Sequence, residues 1–249
     1  MTTTTNPLDT SPFTFSIQII SDTVCPWCYI GHKSLQAAIS SHLSVYPNTT
    51  FDLSWSPFIL YPQAPPSAIE KSLLLQKIYS HRSPQILSRL SHLGSLYSIP
   101  FSWKGKTGNS INSHRLILLS SSISPSLQSE LINTLFKQNF EQGIDISDPA
   151  VLAKIGTEFG LFPDQEAGLN WFNDGEENEL LERVIKESQE SKKRGVKASP
   201  SYLINGRWQV GGMQETTIWL GVLENIRKGN NRVEIPVGEG EGGGGGGCK

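Results

Sequence analysis

Cysteine is scarce in this chain, which has only three cysteines among its 249 residues. Cys25 and Cys28 form the one close pair, and Cys248 is the penultimate residue. A small secreted scaffold stabilised by disulfides would carry many more cysteines. Structural zinc commonly needs two spaced pairs of Cys or His ligands, and no second pair matches the first. We therefore expect neither a disulfide-stabilised fold nor a bound metal.

Long apolar runs and an excess of one charge are also missing. No apolar run approaches the ~18 residues that a bilayer-spanning helix needs. The 21 basic and 23 acidic side chains give a net charge of −2, whereas nucleic acids and anionic membranes attract a concentrated positive field. No basic patch followed by an apolar stretch opens the chain, and arginine first occurs at Arg82, so no targeting segment is expected. The sequence thus predicts a cytoplasmic protein that binds neither nucleic acid nor membrane.

The composition that remains is that of a globular protein, with 37% hydrophobic and 18% charged residues. The two ends differ from the rest of the chain. Residues 1–12 are rich in threonine, and residues 233–249 contain eight of the 23 glycines. Neither segment can bury a core. We predict a disordered leader over 1–12 and a disordered Gly-rich tail over 233–249.

Two segments near the start alternate apolar and polar residues, as half-buried strands do. They are residues 13–20 and 50–58. Between them, apolar residues recur at helical spacing from Tyr29 onwards, and Pro26 suits the first turn of a helix because its missing N–H would be unpaired there. This order predicts a β-α-β unit in which Cys25 lies at, or just before, the helix N-terminus.

Beyond a Pro-rich connection, the pattern changes to almost purely helical signals as far as residue 194. The predicted helices are 67–81, 84–97, 113–123, 126–142, one from Asp148-Pro149 to Gly160, and 177–194. Strand patterns return as a hairpin over 201–210 around Asn205-Gly206, followed by a helix over 214–228. The chain therefore predicts an α/β fold with a βαβ half (13–63), an all-helical insertion (64–184) and a ββα half (185–232). If both halves share one sheet, the insertion interrupts a single domain.

A Cys-x-x-Cys motif at the start of a helix has a physical reason to act on thiols and disulfides. Unpaired N–H groups and the helix dipole stabilise a thiolate on Cys25, so we expect its pKa below the free value of about 8.5 and that of the more buried Cys28 higher. The thiolate attacks a disulfide, and Cys28 then displaces the mixed disulfide. The alternatives are two buried small residues or half of a metal site; the β-α-β frame favours redox chemistry.

The stretch from Ser21 to Gly31, which contains Cys25-Pro26-Trp27-Cys28, resembles the active-site stretch of the DsbA-like thioredoxin-fold oxidoreductases. It is most similar to their cytosolic branch, often described as polyketide-biosynthesis or 2-hydroxychromene-2-carboxylate isomerases. The resemblance continues through residues 55–58, 109–116, 143–148, 195–200 and 211–214, and so spans about residues 14–228. It implies a thioredoxin-like fold with a large helical insertion.

The resemblance also implies site residues. Cys25 would be the catalytic nucleophile, Cys28 would resolve, and Ser199-Pro200 would line the substrate groove with Pro200 as the family's cis-proline. The further substrate-binding candidates are Pro26, Trp27, Asn109, His114, Arg115 and Gln214. We expect Trp27 to be exposed beside Cys25. Arg115 is either a carboxylate ligand or a helix-surface residue, and His114 is more consistent with a hydrogen-bonded structural role.

Two departures from the family pattern flank the expected substrate surface. Ser199 stands where the branch has valine, and Gly211-Gly212-Met213 replaces a Ser-Gly-Ala pattern. A serine at this position adds a hydroxyl that we expect within reach of the Cys25 thiolate. A hydrogen bond from it would favour the thiolate. The departures leave the identity of the substrate open.

The first functional hypothesis is a cytosolic thiol–disulfide oxidoreductase or isomerase. It would act on a disulfide-containing protein or small molecule, with no tightly bound cofactor and with glutathione or another thiol as co-substrate. The alternative is a glutathione-dependent isomerase or transferase for a small aromatic or polyketide metabolite. Kappa-class glutathione transferases and hydroxychromene isomerases are similar in fold but typically have serine where this chain has Cys25. The oligomeric state stays open, a homodimer included.

Overall fold

The computed structural model describes residues 11–64, 68–173 and 179–230. Most of the predicted leader and the whole predicted tail, including Cys248, lie outside the described residues. Elements are numbered in chain order. Among the helices of the three described ranges, none has both the length and the apolar character needed to cross a membrane.

A four-stranded mixed sheet forms the centre of the fold, with the strand order β2-β1-β5-β6. Its strands are β1 (Phe13–Ser21), β2 (Thr49–Pro57), β5 (Ser201–Ile204) and β6 (Trp208–Gly211). β1 runs parallel to β2, with Ser21 opposite Pro57. On its other side β1 runs antiparallel to β5, with Ile20 opposite Ser201. The strands that precede the insertion and those that follow it therefore belong to one sheet. The exact residue boundaries of the two halves and of the insertion stay predictions.

The helices occur where the apolar spacing predicts them, with one addition. They are α1 (Pro26–Val45), α2 (Lys71–Tyr79), a 3-10 turn (Ser80–Arg82), α3 (Ser83–Leu96), α4 (Ile111–Ser121), α5 (Pro125–Phe140), α6 (Pro149–Glu158), α7 (Gln165–Asn173), α8 (Glu179–Lys193) and α9 (Thr216–Arg227). As predicted, Asp148 caps α6 by accepting a hydrogen bond from the Ala150 N–H at 2.8 Å. The addition is α7, which is short; Asp164, just before it, accepts from the Ala167 N–H.

The insertion also contains two short strands that the sequence analysis did not predict. β3 (Ile69–Glu70) pairs antiparallel with β4 (Lys106–Thr107). Two-residue strands are too short to show the alternation that identifies a strand in a sequence. The segment is therefore predominantly, rather than entirely, helical.

One face of the central sheet packs against α1 and α9. Phe15, Ile17 and Ile19 alternate along β1 and share a core with Leu35 of α1 and Trp219 of α9. This is the arrangement that the alternating pattern of β1 predicts, because every second side chain of a strand points to the same face. The residues of α1 that follow the cysteine pair are thereby fixed to the sheet.

The other core forms around the start of α1. Cys25, Trp27 and Cys28 belong to a cluster that also contains Leu116 of α4 and Phe136 of α5. Tyr29 stacks on Phe136, with ring centroids 5.0 Å apart. Side chains from α3 to α7 complete this cluster. The helical insertion therefore packs directly against the helical turn that carries the cysteines.

Candidate active site

Both cysteines lie in the first turn of α1. Cys25 is the N-cap residue, with φ −96° and ψ 114°, and Pro26 follows as the first helical residue. The Cys25 carbonyl accepts hydrogen bonds from the N–H groups of Cys28 at 3.1 Å and Tyr29 at 3.3 Å. The helical turn thus brings the two thiols, which are free rather than joined, to one end of the sheet.

The two sulfurs have different partners. The Cys25 thiol donates to the carbonyl oxygen of Ser199 at 3.6 Å, while the Cys28 sulfur accepts from the Asp22 N–H at 3.5 Å. The Ser199–Pro200 peptide bond is cis, so the predicted cis bond beside the Cys25 sulfur is confirmed. This loop connects α8 to β5 and lies against the N-terminus of α1.

The titration of the pair is opposite to the sequence-based expectation. Burial raises the pKa of Cys25, which is only 2% exposed, and the neighbouring Cys28 and Asp22 raise it further. Burial also opposes a Cys28 thiolate. However, the Cys25 thiol, the Asp22 N–H and the nearby hydroxyls of Ser199 and Ser21 stabilise the thiolate more than burial disfavours it, and they lower the pKa of Cys28. In this closed arrangement burial therefore disfavours a Cys25 thiolate, while the hydrogen bonds favour a Cys28 thiolate.

The expectation that the Ser199 hydroxyl acts on Cys25 also needs correction. Ser199 contacts Cys25 through its backbone carbonyl. Its hydroxyl is buried and makes no hydrogen bond of standard geometry, but it lies near enough to the Cys28 sulfur to favour that thiolate. The hydroxyl therefore favours the Cys28 thiolate, whereas the backbone carbonyl of the same residue contacts Cys25.

Trp27 is buried rather than exposed, with 6% of its surface accessible. Its Nε1–H donates to the Tyr79 hydroxyl at 3.3 Å, and Tyr79 is the last residue of α2 in the insertion. Burial raises the pKa of Tyr79, and the neighbouring cysteine pair, whose thiolates would repel a phenolate, raises it further. We call this pair the Trp27–Tyr79 cover. Tyr79 also packs against the apolar cluster that contains Cys25, so α2 supplies a side chain to the surroundings of the motif that the local sequence does not contain.

A buried carboxylate lies beneath the motif, and the sequence analysis did not assign it. Asp22 is fully buried and accepts hydrogen bonds from the N–H groups of Val24 at 3.2 Å and Leu60 at 2.7 Å. Nε2 of His114 lies 3.5 Å from the same carboxylate. His114 thus joins α4 to the loop before Cys25. The sequence contains one signal that could have identified Asp22 as part of the site. It is the position of this acidic residue, directly after a buried strand and three residues before Cys25.

Arg115 stabilises the end of α7. Its guanidinium donates to the carbonyl oxygens of Trp171 at 3.1 Å and Phe172 at 3.3 Å, and to Oδ1 of Asn112 at 2.8 Å. It also lies 4.4 Å from the centre of the Trp171 ring. A cation at the carbonyl end of a helix is favourable. These contacts account for Arg115 as a buried structural residue rather than as a helix-surface arginine.

Asn109 and Gln214 likewise make contacts within the fold. Oδ1 of Asn109 accepts from the Ile111 N–H at 2.8 Å at the start of α4. The Gln214 side chain donates to the Gly211 carbonyl at 2.8 Å. Of the predicted site residues, the structure brings Cys25, Pro26, Trp27, Cys28, Ser199 and Pro200 together, with His114 connected through Asp22. The substrate-binding roles of all these residues stay predictions.

Gly31, one turn beyond Cys28, allows close approach of the loop that contains Pro200. A Cβ atom at this position would lie 2.5 Å from the Tyr202 hydroxyl and 3.1 Å from Cγ of Pro200. Any larger residue would push α1 and the start of β5 apart. The absence of a side chain at Gly31 thus fixes the distance between the cysteine helix and the Ser199–Pro200 loop.

A small cavity, with room for about one water molecule, lies between β2 and helices α4 and α5. Its lining includes Ser21, Thr23, Trp55, His114, Ile117 and Phe136. Two of these residues directly flank Asp22 in the chain, so the cavity adjoins the loop that leads to the cysteines. It is mainly apolar. Within the described ranges no cluster of three or more His, Cys, Asp or Glu side chains could hold a metal ion.

Comparison with known proteins identifies one family. The family described as "DSBA-like thioredoxin domain" matches residues 16–220. No curated protein matches the sequence.

Solved structures with similar folds include the probable DsbA oxidoreductase of Streptomyces coelicolor, with a TM-score of 0.71, 17% identity and coverage of 88% of this chain and 92% of that one. A 2-hydroxychromene-2-carboxylate isomerase has a TM-score of 0.58 at 14% sequence identity. The match covers 86% of this chain and 97% of the isomerase. The cytosolic disulfide reductase DsbM of Pseudomonas aeruginosa, solved with GSH, has a TM-score of 0.56 at 16% sequence identity. The match covers 86% of this chain and 99% of DsbM. These similarities confirm the predicted thioredoxin-like α/β fold with a helical insertion.

Proposed function

The chain belongs to the DSBA-like thioredoxin domain family, and on that basis we propose that it is a thiol–disulfide oxidoreductase or isomerase acting through Cys25 and Cys28. The observation that carries the proposal is the pair of free thiols in the first turn of α1, with the Cys25 sulfur 3.6 Å from the Ser199 carbonyl. Family membership supports an oxidoreductase or isomerase role in general. The Cys-Pro-Trp-Cys chemistry is the more specific part of the proposal.

In this mechanism Cys25 is the attacking sulfur, since it is the N-cap residue of α1 and lies against the carbonyl of Ser199 in the Ser199–Pro200 loop. Substrate binding displaces the Trp27–Tyr79 cover, and the loss of burial lets the helix N-terminus favour a Cys25 thiolate as the proton passes to Cys28. This thiolate attacks one sulfur of the substrate disulfide. The substrate S–S bond breaks, a mixed disulfide forms, and the first product leaves as a thiolate.

The second step completes a two-electron transfer. The Cys28 thiol loses its proton, its sulfur attacks Sγ of Cys25, and the mixed disulfide bond breaks. The Cys25–Cys28 disulfide forms, and the second product leaves. The single proton and the single negative charge of the reduced pair pass to the two products, so that one leaves as a thiol and the other as a thiolate. Two molecules of glutathione or of another thiol then reduce Cys25–Cys28 and become oxidised to their own disulfide. A cytosolic location, which the similar reductase DsbM has, fits this use of a cellular thiol.

The test is reduction of insulin disulfides by the full chain with a thiol as electron source. We expect the wild-type protein to accelerate the reaction and Cys25→Ser to abolish the acceleration. Cys28→Ser should accumulate a mixed disulfide that mass spectrometry detects, because nothing displaces the substrate. Cys248→Ser is the matched control and should retain activity. Full activity of Cys25→Ser, or an inactive wild-type protein with reduced cysteines, would refute the proposal.

The alternative function is a glutathione-dependent isomerase or transferase acting on a small aromatic or polyketide metabolite. The similarity in fold to a 2-hydroxychromene-2-carboxylate isomerase supports it. The cavity lined by Trp55 and Phe136 has apolar walls but would have to open to admit such a substrate. The intact Cys25 favours redox chemistry instead. Incubation of the protein with glutathione and a hydroxychromene carboxylate separates the two. Conversion that survives in Cys25→Ser would establish the alternative.

A further inference from the structure

The loop between β1 and α1 holds a hydrogen-bond donor for the sulfur of Cys28. The Asp22 N–H donates to that sulfur at 3.5 Å, and the Asp22 carbonyl accepts from the Cys25 N–H at 3.2 Å. The strength of a hydrogen bond to a thiolate depends on the distance and the angle between donor and sulfur. The contacts that fix the position of this loop therefore also influence how readily Cys28 ionises.

Helix α4 of the insertion contacts two successive residues of this loop. Oγ1 of Thr23 lies 2.7 Å from Oγ of Ser113. The Ser113 hydroxyl donates its one hydrogen to the Ser110 carbonyl at 2.8 Å, so Thr23 is the donor of the pair. The next residue of α4 is His114, whose Nε2 lies 3.5 Å from Oδ1 of Asp22. The side chain of Thr23 is thereby fixed to the insertion.

Helix α5 contacts the backbone of the same loop. Nδ2 of Asn139 donates to the Thr23 carbonyl at 3.2 Å. The backbone carbonyl of Asn139 in turn accepts from Nζ of the buried Lys71, the first residue of α2. Thr23 is thus held at its side chain by α4 and at its carbonyl by α5. We call Ser113 and Asn139 the loop clamp.

Polar side chains in the loop clamp have a cost that apolar ones would not have. Ser113 is fully buried and Asn139 is 1% exposed. Burial of a hydroxyl or an amide is unfavourable unless hydrogen bonds replace the lost hydration. Unlike apolar contacts, hydrogen bonds fix both a distance and a direction. The loop clamp is therefore better suited to precise placement of the Asp22 N–H than apolar packing would be.

We propose that Ser113 and Asn139 are positioning residues for the reaction of the cysteine pair, and that they act by holding the Asp22 N–H against the Cys28 sulfur. This inference rests on the proposed function and adds to it a role for the helical insertion. In the resolving step Cys28 loses its proton, and its sulfur attacks Sγ of Cys25. The Asp22 N–H favours the thiolate that makes this attack, so a displaced loop would require a higher pH for the same thiolate population.

The experiment measures the pKa of Cys28 by itself in the full chain. Cys25→Ser combined with Cys248→Ser leaves Cys28 as the only cysteine. Ultraviolet absorbance of the thiolate against pH then reports one group rather than a coupled pair. The test variants are made in this background. They all retain the titratable groups around the loop and the pair, which are Asp22, Lys71, Tyr79, His114 and Tyr202.

Ser113→Ala and Asn139→Leu each remove one contact to Thr23. Each should raise the pKa of Cys28 by about half a unit, a fraction of the roughly one to two units that a complete hydrogen bond to a charged group is worth. Thr23→Val removes the other partner of Ser113 and should raise the pKa equally. The shifts of Thr23→Val and Ser113→Ala should not add in the double variant, because both changes delete the same hydrogen bond.

Ser120→Ala is the matched control. Ser120 is also a fully buried residue of α4, and its hydroxyl donates to a carbonyl three residues earlier, that of Ile117, at 2.8 Å. We expect Ser120→Ala to lower the free energy of unfolding in urea about as much as Ser113→Ala does, and to leave the pKa of Cys28 unchanged. The control therefore separates the placement of the loop from a general loosening of α4.

The results distinguish this inference from the proposed function. An unchanged pKa of Cys28 in both clamp variants, or an equal rise in Ser120→Ala, overturns the positioning role whatever the activity of the protein. An inactive wild-type protein in the insulin assay refutes the proposed function instead, because the titration needs no substrate. If Asn139→Leu does not fold, Ser113→Ala and Thr23→Val decide the question, since each removes a single hydroxyl.

Discussion

Removal of the Ser199 hydroxyl should raise the pKa of Cys28. The hydroxyl favours the Cys28 thiolate, and Ser199→Ala deletes it while leaving the backbone carbonyl that contacts Cys25. A hydrogen bond to a charged group contributes about 1.5–3 kcal/mol. The hydroxyl makes no hydrogen bond of standard geometry, so we take the lower end of that range. Since one pKa unit corresponds to about 1.4 kcal/mol, the expected rise is about one unit.

The same change should alter stability in a pH-dependent way. Cys28 has a lower pKa in the folded protein than in the unfolded chain, so its thiolate stabilises the fold above the unfolded pKa, and this contribution is lost as the pH falls through the folded pKa. Ser199→Ala should therefore destabilise the reduced protein by about 1.4 kcal/mol at alkaline pH. At acidic pH it should have no cost or should stabilise, because it removes a buried hydroxyl without a standard partner.

Ultraviolet absorbance of the thiolate against pH measures the first effect, and urea unfolding of the reduced protein at several pH values measures the second. The two cysteines titrate as a coupled pair, so the lower apparent pKa of the pair is the quantity compared. Ser199→Thr retains a hydroxyl and is the matched control. An unchanged lower pKa in Ser199→Ala, or the same loss of stability at every pH, would refute the assignment of the hydroxyl to Cys28.

Three further predictions follow from the packing around the cysteines. Gly31→Ala should destabilise the protein by about 1–3 kcal/mol in urea unfolding because its Cβ would lie 2.5 Å from the Tyr202 hydroxyl; combination with Tyr202→Phe should recover part of the loss. Arg115→Met should cost about 3 kcal/mol of unfolding free energy, since it leaves the last carbonyls of α7 without their donor. Tyr79→Phe removes the acceptor of the Trp27 Nε1–H and should accelerate alkylation of Cys25 by iodoacetamide about fivefold, the equivalent of one hydrogen bond.

Each of these predictions has a clear contrary result. A Gly31→Ala protein as stable as the wild type would mean that Tyr202 moves aside without cost. Arg89→Met, at an exposed position of α3, is the control for Arg115→Met, and equal stability of the two variants would contradict the capping role. Unchanged alkylation of Cys25 in Tyr79→Phe would mean that the Trp27–Tyr79 cover does not limit access.

The sequence by itself determined the parts of the fold that depend on neighbouring residues. The alternation of residues 13–20, the change to helical spacing after Cys28 and Pro26 at the first helical position identified the strand, the helix and the junction between them. These signals are local because strand pleating and helix capping involve residues a few positions apart. The strands β3 and β4 escaped detection because two residues are too few to establish a period, whereas α7 was missed although it is as long as α2.

Only the tertiary structure decided the chemical state of the site. Burial of Cys25 depends on the Trp27–Tyr79 cover, whose two residues are 52 positions apart, and on Ser199, 174 positions from Cys25. A helix N-terminus alone would lower the pKa of Cys25. Whether it does so depends on how much solvent reaches the sulfur and which sulfur receives the hydrogen bonds. Those quantities arise from the packing of the insertion and of the loop before β5 on α1, which no pattern of adjacent residues encodes.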